Sequence, residues 1–180
     1  MSRIEETPEF IPIRIAVLTV SDTRTPDDNK SGQTLVDRIE GAGHIVVACT
    51  ILKDDRVDIA AQLRTWIADP EIDVVISTGG TGLTGRDVTV EAHRDIYEKE
   101  IDAFGTIFTI VSMQKIGISA VQSRATGGVA GGTYLFALPG SPGACKDAWD
   151  EILAKQFDFR HRPCNFVEIL PRLDEQRRRK

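Results

Sequence analysis

The order of apolar and polar positions divides the chain into alternating short strands and helices. A nearly continuous apolar run at residues 13–20 is of the kind that forms a strand buried on both faces of a parallel sheet. Further strands are predicted at 44–52, 73–78 and 133–138. Between these runs, apolar residues recur every three or four positions, which is typical of helices with one buried face.

The predicted helices are defined by their apolar faces and by the residues that end them. Leu35, Val36 and Ile39 mark the first helix, which ends near the glycines at 41 and 43. Ile59, Leu63 and Trp66 mark the second helix, which ends before Pro70. Further helices are predicted at 90–97, at 104–116 and after the loop at 139–144, where Trp149, Ile152 and Leu153 share one face.

This alternation predicts an α/β fold, a three-layer sandwich with helices on both sides of a mostly parallel sheet. The chain has 180 residues and no repeat or linker, so we expect one domain over residues 1–180. We expect a short N-terminal arm at 1–12. A solvated, dispensable C-terminal tail is predicted at 172–180, where Leu173 is the one apolar residue in a charged run.

Composition excludes several classes of function. The net charge of −5 argues against nucleic acid as a partner. The apolar runs are shorter than the roughly 20 residues that span a bilayer, and the charged N-terminus is unlike a secretory signal. Cys49, Cys145 and Cys164 are odd in number and far apart, so they form neither a disulfide framework nor a zinc pattern. These features are typical of a cytoplasmic protein with no membrane partner.

Polar or glycine-rich sequences follow each of the four predicted strands. They are "SDTR" at 21–24, "KDD" at 53–55, "TGGTG" at 78–82 and "PGSPG" at 139–143. In parallel sheets, ligands bind beyond the carboxyl ends of the strands. The sequence therefore predicts one shared site built from these loops.

Two familiar phosphate-binding motifs are poor matches to the glycine loop. Gly80, Gly82 and Gly85 have the spacing of a dinucleotide fingerprint, but the acidic residue expected about 20 positions later falls at a helix junction. A Walker loop needs Lys and Ser or Thr where this chain has Arg86 and Asp87. A nicotinamide-binding oxidoreductase remains a weaker alternative.

The loop is better interpreted as an anion cradle with acidic residues beside it. Its backbone N–H groups can bind an oxyanion, because glycine permits close approach. Asp87 would repel a bare phosphate, unless Mg²⁺ lies between them with Asp54 or Asp55 as a second carboxylate. The alternative, which spacing leaves open, is that Asp55, Asp87 or Thr89 caps a helix.

Other residue types that often carry chemistry are interpreted as structural. His44, His93 and His161 have no catalytic context in the sequence. Cys145 is expected to be a small buried residue, and the two tryptophans are expected in the core.

Five segments together resemble the molybdenum cofactor biosynthesis family of MoaB and MogA. They are "TGGTGLTGRDVT" at 78–89, "SDTR", "KDD", "SRATGGV" at 123–129 and "LPGSPGA" at 138–144. The resemblance covers about residues 13–163. "CNF" shortly after "RHRP", together with the short arm, favours the MoaB branch. The resemblance implies a molybdopterin-binding-like fold.

The resemblance also implies an activity and a set of site residues. Catalytic members of the family bind molybdopterin and adenylylate it with Mg²⁺ and ATP, and a molybdate-insertion protein, a possible transient partner, acts later. The two family aspartates fall on Asp54 and Asp87, as catalytic and metal-binding residues. The implied substrate-binding residues are Ser21, Asp22, Thr78, Gly79, Gly80, Thr81, Gly82, Ser123, Arg124, Gly140, Ser141 and Pro142. The alternative is a non-catalytic molybdopterin-binding protein of the same pathway.

Family members assemble as homotrimers or homohexamers, so the resemblance also implies an interface. Its candidate elements are the helix at 104–116, which is apolar on several sides, and the arm around Phe10 and Ile11.

Overall fold

A computed structural model describes residues 8–175, in which six strands form one sheet in the order β2–β1–β3–β6–β5–β4. The strands are β1 Arg14–Val20, β2 Ile45–Leu52, β3 Val74–Thr78, β4 Lys99–Glu100, β5 Thr126–Ala130 and β6 Thr133–Leu138. The helices are α1 Lys30–Gly41, α2 Arg56–Ile67, α3 Thr89–Arg94, α4 Asp102–Ile116, α5 Pro142–Ala148, α6 Ala154–Gln156 and α7 Phe166–Ile169. A π-helical turn, Trp149–Leu153, joins α5 to α6.

The sheet is mostly parallel, as predicted. β1 pairs in parallel with β2 and β3, and β3 pairs in parallel with β6. Alternate residues of β1 face opposite layers, because successive side chains of a strand point to opposite sides. Ile15 and Val17 pack in a core cluster with α1, α4 and α5, whereas Ala16 and Leu18 pack in a second cluster with α2 and α3. The three-layer α/β sandwich is therefore confirmed.

Two strands were missed by the pattern of apolar residues. β5 pairs antiparallel with β6, and β4 pairs antiparallel with β5. Glycine usually weakens a strand, but here neighbouring rings occupy the space that side chains would fill. A Cβ on Gly127 would lie 2.8 Å from the ring of Phe136, and one on Gly128 would collide with the ring of Tyr97. Tertiary packing thus favours a strand that glycine content disfavours.

The segment Asp102–Gln122, which includes α4, is the one membrane-span candidate among the described residues, and on its own it is weak evidence for a span. By length and composition it is long and apolar enough to cross a membrane, with a mean hydropathy of 1.4, although the sequence predicted no such stretch. Its weakly polar Thr, Ser, Gln and Gly residues had masked its length in the apolar pattern. Phe104 and Phe108 pack in the large core cluster, and the α-helix ends at Gly117, whose φ is +60°. One face of α4 therefore packs in the core of the domain.

The ends of the described chain pack on the domain. The rings of Phe10 and His44 lie 5.0 Å apart and are tilted by 41°, and Leu173 packs half-buried against the large core cluster. Leu173 is thus an exception to the solvated tail predicted at 172–180. Residues 1–7 of the predicted arm and 176–180 of the predicted tail lie outside the described residues. Both tryptophans are buried, as predicted.

Candidate active site

The parallel strands bring four loops to one edge of the sheet. In the sheet register Thr19 pairs with Thr78, and Thr78 pairs with Leu138, so these strands end at the same level. The same holds for Val20 and Leu52. The polar loops predicted to share a site therefore adjoin one another in space.

The glycine loop requires glycine where it passes close to its neighbours. Gly79 and Gly80 have φ angles of +100° and +61°, which favour glycine. A Cβ on Gly79 would also collide with the backbone oxygen of Val20. At Gly82 a Cβ would lie 2.7 Å from Oδ2 of Asp87. The loop therefore lies tightly between the end of β1 and the acidic side chains.

Not every group of the predicted cradle is available to a ligand. The Thr78 hydroxyl donates to the Pro139 oxygen at 3.0 Å, and the Gly79 N–H donates to the Leu138 oxygen at 3.0 Å. By contrast, the N–H groups of Gly80 and Thr81 have no acceptor within residues 8–175. These two amides are the ones that can bind an oxyanion.

Three carboxylates surround this part of the loop in different electrostatic states. Asp22 accepts hydrogen bonds of 2.7–3.0 Å from Arg86, which lower its pKa. Asp87 accepts from the hydroxyl of Thr84 at 2.6 Å and from its N–H at 2.9 Å, and the hydroxyl contributes most to the lowering of its pKa. Asp54 is half-buried, and burial raises its pKa, with further contributions from Asp22 and Asp87. Of the three carboxylates, Asp54 is therefore the one whose charged form would be stabilised most by a nearby cation.

The alternative of helix capping holds for one of the three candidate residues. Asp55 caps α2 by accepting from the N–H groups of Val57 and Asp58, at 2.9 and 3.0 Å. At the start of α3 the capping residue is Val88, which offers no side-chain bond. The Thr89 hydroxyl is buried and has no partner within the described residues. Neither Asp87 nor Thr89 caps the helix.

The donor set fits a Mg²⁺ ion that arrives with phosphate. No group of three or more His, Cys, Asp or Glu side chains in residues 8–175 could hold a metal without other ligands. Mg²⁺ commonly takes only one or two carboxylates and completes its shell with water and phosphate oxygens. Asp54 lies beside Gly80, and Asp87 lies beside Gly82, so both flank the free amides. Asp54 and Asp87 are the residues that would hold the ion.

Arg124 lies against the glycine loop, although it is distant in sequence. Its Nε donates to the Thr81 oxygen at 2.9 Å, and its guanidinium pairs with Glu91 at 2.6 Å. This ion pair lowers the pKa of Glu91. Ser123, the neighbouring predicted site residue, lines a separate hollow of about 320 Å³ between α3 and α4.

The loop after β6 closes the site from the other side. A Cβ on Gly140 would lie 3.0 Å from the Gly79 Cα, so the two loops are in close contact. The Ser141 hydroxyl accepts from the Ala144 N–H at 3.1 Å, and Pro142 is the first residue of α5. The structure therefore gives Ser141 and Pro142 a part in starting the helix.

A groove of about 660 Å³ leads away from Ser21 and Asp22, between α1 and the edge strand β2. Its volume is in the range of small-molecule sites. Sequence reasoning missed most of its lining, which includes Val36, Cys49, Ile51, Arg24, Asn29 and Lys53. Arg24 and Lys53 did lie within the quoted "SDTR" and "KDD", and this proximity was the available signal. The Ser21 hydroxyl accepts from the Arg24 N–H at 3.2 Å.

Of the residues interpreted as structural, Cys145, His93, His44 and both tryptophans are buried, whereas His161 is half-buried. Burial raises the pKa of the Cys145 thiol to about 11, so it is a poor nucleophile. Burial also lowers the pKa of His93 to about 3, and its Nε2 lies 2.8 Å from the Ser77 hydroxyl. His44 is buried in an aromatic cluster with Phe10 and Trp149.

Comparison with known proteins agrees with this geometry. A family model described as "Probable molybdopterin binding domain" matches residues 16–158. The chain is 49% identical over 158 residues to molybdenum cofactor biosynthesis protein B of Escherichia coli K12, covering 88% of this chain and 93% of the relative. A solved structure of a molybdenum cofactor biosynthesis protein B has a TM-score of 0.83 and 37% identity, covering 92% and 98% of the two chains.

A second similar solved structure is that of a protein named for tungsten cofactor synthesis. It is the tungsten cofactor synthesizing protein MoaB from Pyrococcus furiosus, with a TM-score of 0.73 and 32% identity, covering 81% of this chain and 93% of that one. The resemblance found in the sequence motifs, including the MoaB branch, is confirmed. The chain therefore belongs to the molybdenum cofactor biosynthesis family with a molybdopterin-binding domain, and it functions in the biosynthesis of that cofactor.

Proposed function

We propose that this chain binds molybdopterin and transfers an adenylyl group to it from Mg²⁺-bound ATP. An oxygen of the terminal phosphate of molybdopterin attacks the α-phosphorus of ATP. The bond from this phosphorus to the bridging oxygen of the β-phosphate breaks, and pyrophosphate leaves with the bond's electrons. The observation that carries the proposal is the half-buried Asp54, with its raised pKa, beside the two free amides of the glycine loop.

The chain's own residues position the reactants and balance charge. The N–H groups of Gly80 and Thr81 bind phosphate oxygens, and Arg124 keeps the loop in place through the Thr81 oxygen. Asp54 and Asp87 hold the Mg²⁺. When bound, the ion neutralises phosphate charge that develops during transfer. Nucleotidyl transfer depends on positioning and charge neutralisation more than on a protein nucleophile. The reaction therefore does not require Cys145, whose buried thiol is a poor nucleophile.

The groove beside Asp22 supplies space for the organic part of a substrate. Its apolar wall, formed by Val36, Cys49 and Ile51, suits the face of a planar ring. Arg24 and Lys53 line the same groove and add positive charge near the phosphates. We assign the phosphates to the amide cradle and one ring system to the groove.

The test is pyrophosphate release from ATP by the purified protein, with and without molybdopterin. Release that requires both molybdopterin and Mg²⁺ is expected. Tight molybdopterin binding without release would favour the second candidate, a non-catalytic binding protein of the same pathway. Binding of NAD(H) would instead revive the oxidoreductase alternative.

We also propose that the chain forms a homotrimer, or a homohexamer of two trimers, through the outer side of α4 and the 3₁₀ turns after it. Exposed apolar side chains crowd this surface: Ile107, Ile110, Met113, Ile116, Ile118 and Val121. Ile118 is 80% exposed and Val121 is 77% exposed, which is costly for a monomer in water. Sedimentation of the wild type should give a trimer or larger, and Ile110→Asp should give monomer. A stable wild-type monomer at micromolar concentration would contradict the assembly.

A further inference from the structure

The Thr89 side chain is a buried hydroxyl without a partner at the base of the glycine loop. Thr89 is fully buried, and its Oγ1 is unbonded within the described residues. Its backbone N–H donates to the Gly80 oxygen at 2.9 Å, so the residue is anchored directly to the loop. An unpaired buried hydroxyl normally costs stability. Its presence here therefore indicates that the hydroxyl has a hydrogen-bond partner in another state of the protein, such as the ligand-bound one.

Gly80 lies between this hydroxyl and the Asp54 carboxylate. A Cβ on Gly80 would collide with Oγ1 of Thr89 and with Oδ1 of Asp54. Both oxygens therefore converge on the space that a side chain would fill. Gly80 keeps this space open because it has no Cβ. Its φ angle of +61°, in the left-handed region, also favours glycine.

The Asp54 carboxylate has a backbone hydrogen bond with Asp22 but no side-chain donor among the described residues. No side chain within residues 8–175 donates to it, whereas Asp22 has Arg86 and Asp87 has Thr84. A donor without an acceptor and a carboxylate without a side-chain donor thus face each other across a glycine.

We propose that Thr89 is a positioning residue whose hydroxyl donates to the Asp54 carboxylate when the glycine loop holds the phosphates of a Mg²⁺-bound nucleotide. Rotation of the carboxylate brings one oxygen to the hydroxyl and leaves the other for the ligand. Thr89 acts on the ligand through Asp54 and makes no contact with it in this proposal. The inference rests on the proposed function, since it needs a nucleotide in the loop.

The test compares ligand-free stability with binding of Mg²⁺-ATP by the full chain, using thermal unfolding and titration calorimetry. Thr89→Val keeps the shape and removes the hydroxyl. Its binding should be about tenfold weaker, the effect of one hydrogen bond to a charged group, while ligand-free Tm stays level or rises. Thr89→Ser should bind within about twofold of the wild type, because it keeps the donor. Thr89→Ala repeats the test if the valine variant does not fold.

Thr133→Val is the matched control. Thr133 is also buried, but its hydroxyl already donates to the Ile72 oxygen, at the opposite end of the parallel strands. This change should lower Tm and leave Mg²⁺-ATP binding unaltered. Wild-type binding by Thr89→Val, or equal losses in Thr89→Ser, would overturn the role of the hydroxyl alone. Absence of Mg²⁺-ATP binding by the wild type would overturn the proposed function and this inference with it.

Discussion

Polar side chains at the amino ends of β1 and β3, the amino edge of the sheet, are paired. Two side chains at the carboxyl edge, beside the loops that follow the parallel strands, lack a side-chain partner within the described residues: Asp54 after β2, and Thr89 at the start of α3. At the amino ends, Arg14 donates to Asp73 from its backbone N, Nε and Nη2, at 2.8–3.0 Å, and also pairs with Glu71 at 2.8 Å. At the carboxyl ends, Thr89 has no partner within the described residues, and the pKa of Asp54 is raised by burial.

This difference separates the part of the sheet that stabilises the fold from the part that we propose binds the substrates. Paired polar groups stabilise a structure, and unpaired or repelling groups persist where a ligand completes them. Changes at the carboxyl edge should therefore alter chemistry more than stability. Changes at the amino edge should do the reverse.

The largest expected effect comes from removing charge at the carboxyl edge. Asp54→Asn and Asp87→Asn should each lower molybdopterin-dependent pyrophosphate release by about 10²–10³, or about 3–4 kcal/mol. Thermal stability of Asp54→Asn should stay level or rise, because its carboxylate is destabilised by burial and by its acidic neighbours. Unchanged rates with reduced stability would reverse the assignment of the two edges.

The matching change at the amino edge is Asp73→Asn. It removes the charge that Arg14 binds at a site where the Asp73 side chain is 17% exposed. Unfolding free energy should fall by about 2 kcal/mol, since hydrogen bonds between charged groups are lost. Denaturant unfolding measures this change, and the rate of pyrophosphate release should remain that of the wild type. A large loss of rate would mean that the two edges are coupled.

Acid should lower the free energy of unfolding through His93, which is buried in α3 next to β3. Burial lowers the pKa of His93 to about 3, whereas its unfolded value is 6.5, so the unfolded state binds the extra proton as pH falls below 6.5. The stabilising effect of neutral His93 is complete above that pH and is lost progressively towards pH 3. At pH 5.5 the loss is about 1.4 kcal/mol.

Urea unfolding of His93→Gln between pH 7 and 5 checks this effect. The variant should show a shallower pH dependence than the wild type. Some dependence should remain, because burial also lowers the pKa of His44. His161→Gln serves as the control, since His161 is less buried and lies outside the core clusters. Identical pH dependence in His93→Gln and the wild type would contradict the expected role.

The smallest effect concerns the C-terminal segment, whose described part, including Asp174, lies near Arg14 and Asp73 at the amino edge. Deletion of residues 176–180 should leave Tm nearly unchanged, because this charged run has no apolar residue. Leu173→Ala should lower unfolding free energy by about 1 kcal/mol, since Leu173 is half-buried against the core. A large fall in Tm on deletion would show that the last residues also dock.

Local sequence signals were sufficient for much of the fold and for predicting which loops adjoin in the candidate site. The apolar run of β1 predicted a strand buried on both faces, and six of its seven residues are buried. The loop "TGGTG" predicted a cradle because glycine's conformational freedom is a local property. Register then aligns the ends of parallel strands, so adjacent loops follow from strand order.

Pairings between distant residues could not be predicted in this way. Arg124 reaches Glu91 across 33 positions, and Arg86 reaches Asp22 across 64. The residues next to either arginine in the sequence give no indication of which acidic residue it pairs with. The same reasoning applies to β5, where the rings beside Gly127 and Gly128 come from other elements.

The sequence by itself determined the alternation of strands and helices, the family and the loops of the candidate site, because periodicity, glycine and motif spacing are properties of short segments. Only the tertiary structure decided, within the described residues, which backbone amides have no acceptor, which carboxylate is destabilised by burial and which hydroxyl is unpaired. Those properties depend on burial and on partners brought together by the whole fold, since a group's desolvation and hydrogen bonding are fixed by its neighbours in space.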